Sequence, residues 1–189
     1  PSIFDIEKLR WMNAEYIRNS TPEQFRQLAQ PYVEQALGEA DLDTGKICAL
    51  IQQRTEVLTE IPEKIVFFKE LPEYDTAIYC HKKMKTDRVN SLENLRKVLQ
   101  YFTDNENLLR AGWTSARLYE ALCALAEQNG VKNSQILWPV RTALSGKEVS
   151  PGGATEIAEI LGYGETMRRL AVGIKKLDTE GTVENGSQQ

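Results

Sequence analysis

LWPVRTALSGKEVSPGGATEIAEI, residues 137–160, begins as a helix and is then turned twice. Trp138, Arg141 and Ser145 recur along one side at helical spacing, and the pattern breaks at Ser145-Gly146. Ser150-Pro151-Gly152-Gly153 reads as the start of the next helix. Ser150 is suited to the N-cap, Pro151 to the first helical position, and Glu156 and Ile157 continue the pattern. An arginine near one helix end is thereby set against a glycine-rich helix start whose backbone N–H groups are on offer. Such a corner can hold a flexible polar partner.

The surrounding chain reads as helix after helix. Asp5 caps a first helix carrying Leu9, Met12, Tyr16 and Ile17 on its apolar side, with Asn19-Ser20 as its stop. Thr21-Pro22-Glu23-Gln24 forms a capping box for a second, which carries Phe25, Leu28 and Ala29 and runs to about Gly38. Asp43 or Thr44 opens a third, with Ile47, Leu50, Ile51, Val57 and Leu58 in period. Ile61-Pro62-Glu63-Lys64 starts a short apolar helix through Phe68. Leu71-Pro72-Glu73-Tyr74 marks a joint, because proline ends one pattern before another begins. Beyond it the spacing predicts helices over about 75–83 and 91–102, and one capped by Thr114 that carries Leu118, Leu122, Leu125 and Ala126 and closes at Asn129-Gly130. A last helix carries Met167, Leu170, Ile174 and Leu177. With no sustained alternation of period two, the expected fold is all-α: two tandem helical bundles, residues 1–70 and 71–177, followed by a polar tail, 178–189, expected to be disordered.

Composition narrows the function classes. The chain has 189 residues, 41% of them hydrophobic, enough for one substantial or two small domains. Lys and Arg number 23 against 27 Asp and Glu, a net charge of -4. Bulk charge therefore does not point to a nucleic-acid coat or a membrane-surface binder, and an anionic partner has to be met by local basic patches. Cys48, Cys80 and Cys123 are odd in number and lack C-x-x-C spacing, which argues against a disulfide framework and for a reducing, cytoplasmic setting. No apolar run approaches the roughly 20 residues that span a bilayer. A start at Pro1 leads us to expect a piece of something longer.

Chemistry-bearing motifs are few. The single histidine, His81, has no second ligand at metal spacing and reads as a surface residue; the cysteines read as core. No Walker loop, Rossmann fingerprint or G-x-S-x-G is present. Lys82, Lys83 and Lys85, with Arg88, Arg96 and Lys97 beyond, form either a solvated face or a contact to phosphates. Trp138, followed by Pro139, reads as a packing residue rather than a stacking platform.

Two stretches resemble a known family. Phe4 to Ile17, FDIEKLRWMNAEYI, with Lys8, Leu9, Trp11, Asn13, Tyr16 and Ile17 in the pattern K-L-x-W-x-N-x-x-Y-I, and the central WPVRTALSGKEVSPGG are similar to the C-terminal, anticodon-binding part of bacterial-type glutamyl-tRNA synthetases. Arg54, seven places before Ile61-Pro62-Glu63-Lys64, fits the same arrangement, and the resemblance runs from about Phe4 to Leu177. It implies an anticodon-binding fragment whose partner is the anticodon arm of glutamate tRNA, as a monomer, with no DNA and no membrane. The family's catalytic motifs for ATP are not in this sequence. Lys83-Met84-Lys85-Thr86 is similar to one of them only superficially and reads as a basic helix end. The resemblance thus implies no catalytic site and no cofactor in this chain, with ATP and magnesium expected for the parent glutamate–tRNA ligase.

By the same resemblance Arg54 meets the third anticodon base, where glutamate tRNAs have C and glutamine tRNAs G. A guanidinium carries only donors, cytosine offers O2 and N3 acceptors, and guanine turns an N1–H donor to the same edge. Further anticodon contacts are implied at Arg141, Ser150, Pro151 and Gly153, while the basic run itself offers Lys82, Lys83 and Lys85 for the tRNA phosphate backbone. Gly153 departs from the family, whose members often carry a larger apolar side chain there. RNA loops present splayed bases, so a net negative protein can still read them. The alternatives are a helical protein-interaction module without nucleic-acid binding, which an exposed apolar patch would favour, and a helix-turn-helix DNA binder, which Glu156 and Glu159 on the expected recognition helix disfavour.

Overall fold

The structure, a computed structural model, describes residues 5–186, with side chains through residue 179. Among the described residues it is helical with no strand, and the chain divides into two compact units, Pro1–Glu70 and Leu71–Gln189.

The first unit contains α1 (Ile6–Asn19), α2 (Pro22–Leu37), α3 (Thr44–Gln52) and α4 (Ile61–Lys69). Its helix ends follow from local chemistry. The Asp5 carboxylate accepts from Lys8 N–H, Thr21 and Gln24 close a reciprocal capping box, and Gly38 ends α2 at φ 57°. α2 buries Phe25, Ala29 and Val33, facing a core that also holds Ile47, Ile51, Ile61, Ile65 and Phe68. The buried Gln52 amide donates to the carbonyls of Ile17 and Ser20, which satisfies the end of α1 from α3.

Two expectations fail here. Of the apolar stripe expected on α1, Ile17 alone is buried. Ala14 and Ile17 are buried, whereas Leu9, Met12 and Tyr16 are 46%, 53% and 66% exposed, because α1 is held by its other edge, where Arg10 pairs with Glu56 and Glu60. α3 also stops at Gln52. The Thr55 hydroxyl turns back to the Ile51 carbonyl, and Leu58 belongs to a separate 3-10 turn, Leu58–Glu60.

The second unit contains α5 (Arg88–Asp104), the short α6 (Glu106–Arg110), α7 (Ser115–Gln128), α8 (Asn133–Ser145) and α9 (Ala154–Gly186), which is broken at Gly162 (φ 74°, ψ 170°). α8 packs against α5, α7 and α9. The core holds Leu95, Val98, Phe102, Leu118, Leu122, Val140, Ala143, Leu144, Ile157 and Leu170. Residues 75–83 are not the expected helix. A 3-10 turn, Thr76–Tyr79, ends at Cys80, and His81 and Thr86 then pair across a tight loop closed by Lys85 at φ 58°. The basic stretch is therefore a loop and not a helix end, and Cys80 is exposed rather than core. Nor is the stretch after Leu177 irregular: α9 continues to Gly186, and the Asp178 carboxylate accepts from Arg96. Extending a helix already nucleated by packing costs little, so polar composition alone did not end it. Phe4 and residues 187–189 lie outside the described residues.

Candidate nucleic-acid interface

The corner quoted at the outset is built by Arg141. α8 ends on Gly146 at φ 60°, ψ 22°, and the chain turns away through residues 147–153. Arg141 reaches across that turn. Its Nη1 donates to Ser150 Oγ at 3.0 Å and its Nη2 to the Glu148 carbonyl at 3.0 Å, while its guanidinium lies 4.2 Å over the ring of Trp138. Burial lowers its pKa, partly offset by Glu148, and its buried Nε has no partner.

Ser150 is consequently not an N-cap. Its oxygen accepts from Arg141 and its hydroxyl donates to the Gly152 carbonyl at 2.8 Å, so the helix starts later, at Ala154. The Gly153 N–H, expected to be on offer, donates to Glu156 Oε2 at 2.8 Å. Pro151 and Gly152 are buried, and Gly153 is exposed. Arg141, Ser150, Pro151 and Gly153 thus share one corner of the second unit.

Beside that corner is an open groove of about 1010 Å³, mostly apolar, between α7, α8 and the start of α9. Leu137, Trp138, Arg141 and Gly153 line one part, Tyr119 and Ala116 of α7 another, and Met84 of the basic loop reaches in. The loop is tied to the first turn of α8: Ser134 Oγ donates to the Met84 carbonyl and Gln135 Nε2 to that of Lys85, each at 3.2 Å. His81 accepts from Met84 N–H through Nδ1 at 3.3 Å, and its ring stands 4.1 Å from Trp138. Lys82, Lys83 and Lys85 are exposed. Sequence reading missed the groove. The one signal was an aromatic residue, Tyr119, lying off the Leu118/Leu122/Leu125 stripe of α7.

The end of α8 is fixed from behind by a residue the sequence did not single out. Arg169, fully buried, donates through Nη1 to the Leu144 carbonyl at 2.7 Å and through Nε to Glu165 at 2.6 Å. Arg168 and Arg169 hold the Glu165 carboxyl down at about 2.

In the first unit Arg54 follows α3. It is exposed, one Nη1 hydrogen bond returns to the Leu50 carbonyl at 3.1 Å, and its own carbonyl accepts from Lys64. Among the described residues its guanidinium makes no other hydrogen bond. Among the described residues no group of three or more His, Cys, Asp or Glu side chains is placed to hold a metal ion, and no helix is long and apolar enough to cross a membrane.

A family model described as an anticodon binding domain matches residues 24–174. The chain belongs to that family. A glutamate–tRNA ligase of Clostridium tetani is 48% identical over 180 residues, covering 95% of this chain and 36% of that protein. A glutamate–tRNA ligase of Clostridium botulinum is 49% identical over 177 residues, covering 94% and 35%. The chain therefore spans about a third of the length of these relatives. In fold it is similar to a glutamate tRNA ligase from Elizabethkingia meningosepticum, with a TM-score of 0.73 at 20% identity over 92% of this chain and 33% of that one.

Proposed function

We propose that this chain is the part of a glutamate–tRNA ligase that binds the anticodon loop of glutamate tRNA. The observation that carries the reading is the corner itself. In a chain of the anticodon binding family, Arg141, Ser150, Pro151 and Gly153 come together at the rim of an apolar groove, with three exposed lysines on the adjoining loop. A mostly apolar groove suits unstacked bases, and lysines at its edge suit the phosphates that join them. Attachment of glutamate, with ATP and magnesium, would belong to the two thirds of the parent enzyme outside this chain, in the cytoplasm, the chain itself acting as a monomer. Nothing in the matches favours a protein-interaction module without nucleic-acid binding.

Arg54 supplies the choice at the third anticodon base. Being exposed and, among the described residues, bonded through its guanidinium only to the Leu50 carbonyl, it has donors left for cytosine O2 and N3, and these oppose the N1–H of guanine. The test is binding of the chain and its Arg54→Gln variant to two glutamate anticodon stem-loops differing only in C or G at that base, at one fixed salt concentration. Arg54→Gln should weaken the C loop by roughly 5- to 150-fold and narrow its advantage over the G loop. Lys82→Ala, as a control, should weaken both loops alike and flatten the salt dependence. Equal loss for both loops with Arg54→Gln would remove Arg54 from base choice.

A further inference from the structure

The groove has two aromatic rings in its wall, and only one has a face to give. Trp138 is engaged on every side that matters: His81 stands 4.1 Å from its ring, the Arg141 guanidinium lies 4.2 Å over it, and its indole N–H donates to the Ile78 carbonyl at 3.2 Å. Tyr119 is different. It projects from α7 into the groove, is 50% exposed, and forms none of the ring–ring or cation–ring contacts found elsewhere among the described residues. Its ring therefore keeps an open apolar body on the groove side of α7. Gly153, which also lines the groove, carries no side chain, and a Cβ built there would meet only Glu156 Oε2 at 3.5 Å. A groove of about 1010 Å³ has room for a flat ring.

The charge pattern says what kind of ring. Glu156 and Glu159 line the groove, which makes it a poor place for a phosphate, whereas Lys82, Lys83 and Lys85 project beside Met84 on the loop at its edge. A nucleotide fits with its base inside and its phosphate on the lysines.

We propose that Tyr119 is the platform on which one splayed base of the bound anticodon loop stacks, a positioning role that rests on the anticodon-loop reading above. Stacking is tolerant of base identity, so Tyr119 adds affinity and fixes where the loop sits, while the choice of base is left to groups such as Arg54.

The experiment uses the 189-residue chain, its Tyr119→Leu and Tyr119→Phe variants, and glutamate anticodon stem-loops carrying an abasic nucleotide at each anticodon position in turn. Tyr119→Leu should weaken binding of the intact loop by about 5- to 150-fold, and Tyr119→Phe, which keeps the ring, should retain most of the affinity. At one position the abasic loop should bind the wild type and Tyr119→Leu alike, since the stacked pair has already been lost; a merely structural residue would show multiplied losses at every position. Tyr119→Leu binding as tightly as wild type, or losses that multiply throughout, would overturn the proposal while leaving the anticodon reading intact. A wild-type chain that does not separate the glutamate stem-loop from an unrelated loop of the same length would overturn both.

Discussion

Replacing Arg169 by methionine should destabilise the second unit by about 2 kcal/mol. The magnitude follows from what the guanidinium touches. Its Nη1 bond to the Leu144 carbonyl, 2.7 Å, satisfies an acceptor in the last turn of α8 that has no intrahelical donor, and losing it costs about 1–3 kcal/mol. Glu165 loses one partner but is not stranded, because Arg168 keeps two bonds to it, at 2.8 and 2.7 Å. The roughly 3–5 kcal/mol of an uncompensated buried charge therefore does not apply. Methionine also removes the burial penalty that pulls the arginine's own pKa down, which offsets part of the loss. Urea unfolding in a Trp11→Phe background would measure it, since Trp113 and Trp138 then report the second unit alone. Arg169→Ala should cost more, through the cavity it leaves. A loss below about 0.5 kcal/mol for Arg169→Met would mean that the arginine does not hold the end of α8 and that the Gly146 turn is fixed by other contacts.

Two further outcomes follow from the same unit. The Glu165 carboxyl is lowered from the ordinary 4.5 to about 2, so its stabilisation is complete above about pH 4.5 and is lost as pH falls towards 2. Discounted for a side chain that is 31% exposed, this is worth about 2 kcal/mol. Melting temperatures between pH 6 and 3 should fall less steeply for Glu165→Gln than for wild type; parallel curves would show that the pairing carries no such stability. Gly173→Ala should destabilise, against the ordinary gain of about 1 kcal/mol for alanine in a helix, because its Cβ would lie 2.6 Å from the Tyr79 hydroxyl and 3.0 Å from Ala143 Cβ. Tyr79 is fully buried and bonded to Tyr74 through that hydroxyl, so it has nowhere to retreat. A raised melting temperature for Gly173→Ala would contradict the close approach.

What could be read from the sequence was local. Asp5, Thr21 with Gln24, Thr114, Gly38 and Gly146 mark helix ends because each cap is completed within a few residues by side-chain oxygens or by a left-handed glycine. Several of the failures are places where a group outside the segment overrode the local signal. Ser150 has the chemistry of an N-cap, but Arg141, nine residues back, takes its oxygen, and α9 starts at Ala154. Residues 75–83 have helical spacing, but Thr76 is held by Arg88, Tyr79 is drawn into the core, and His81 pairs with Thr86. Leu9, Met12 and Tyr16 make a convincing stripe, yet salt bridges and Gln52 fix α1 by another edge. Spacing shows which residues can share a face and is silent on which face meets the core.

That distinction bears on how the two arginines divide the work. From sequence alone both Arg54, at the third anticodon base, and Arg141, at a further contact, are expected to donate to an RNA loop. In the structure the two are not equivalent. Arg141 already spends Nη1 and Nη2 on Ser150 and Glu148 and rests its guanidinium on Trp138, which together hold the 147–151 turn against α8. Withdrawing those bonds to reach a base would loosen the corner it forms. Among the described residues the Arg54 guanidinium makes one hydrogen bond, and the residue is exposed, so its remaining donors could meet a base without dismantling anything. If the chain binds an anticodon loop as proposed, Arg141 would shape the surface on which the loop rests and Arg54 would be the arginine free to tell C from G.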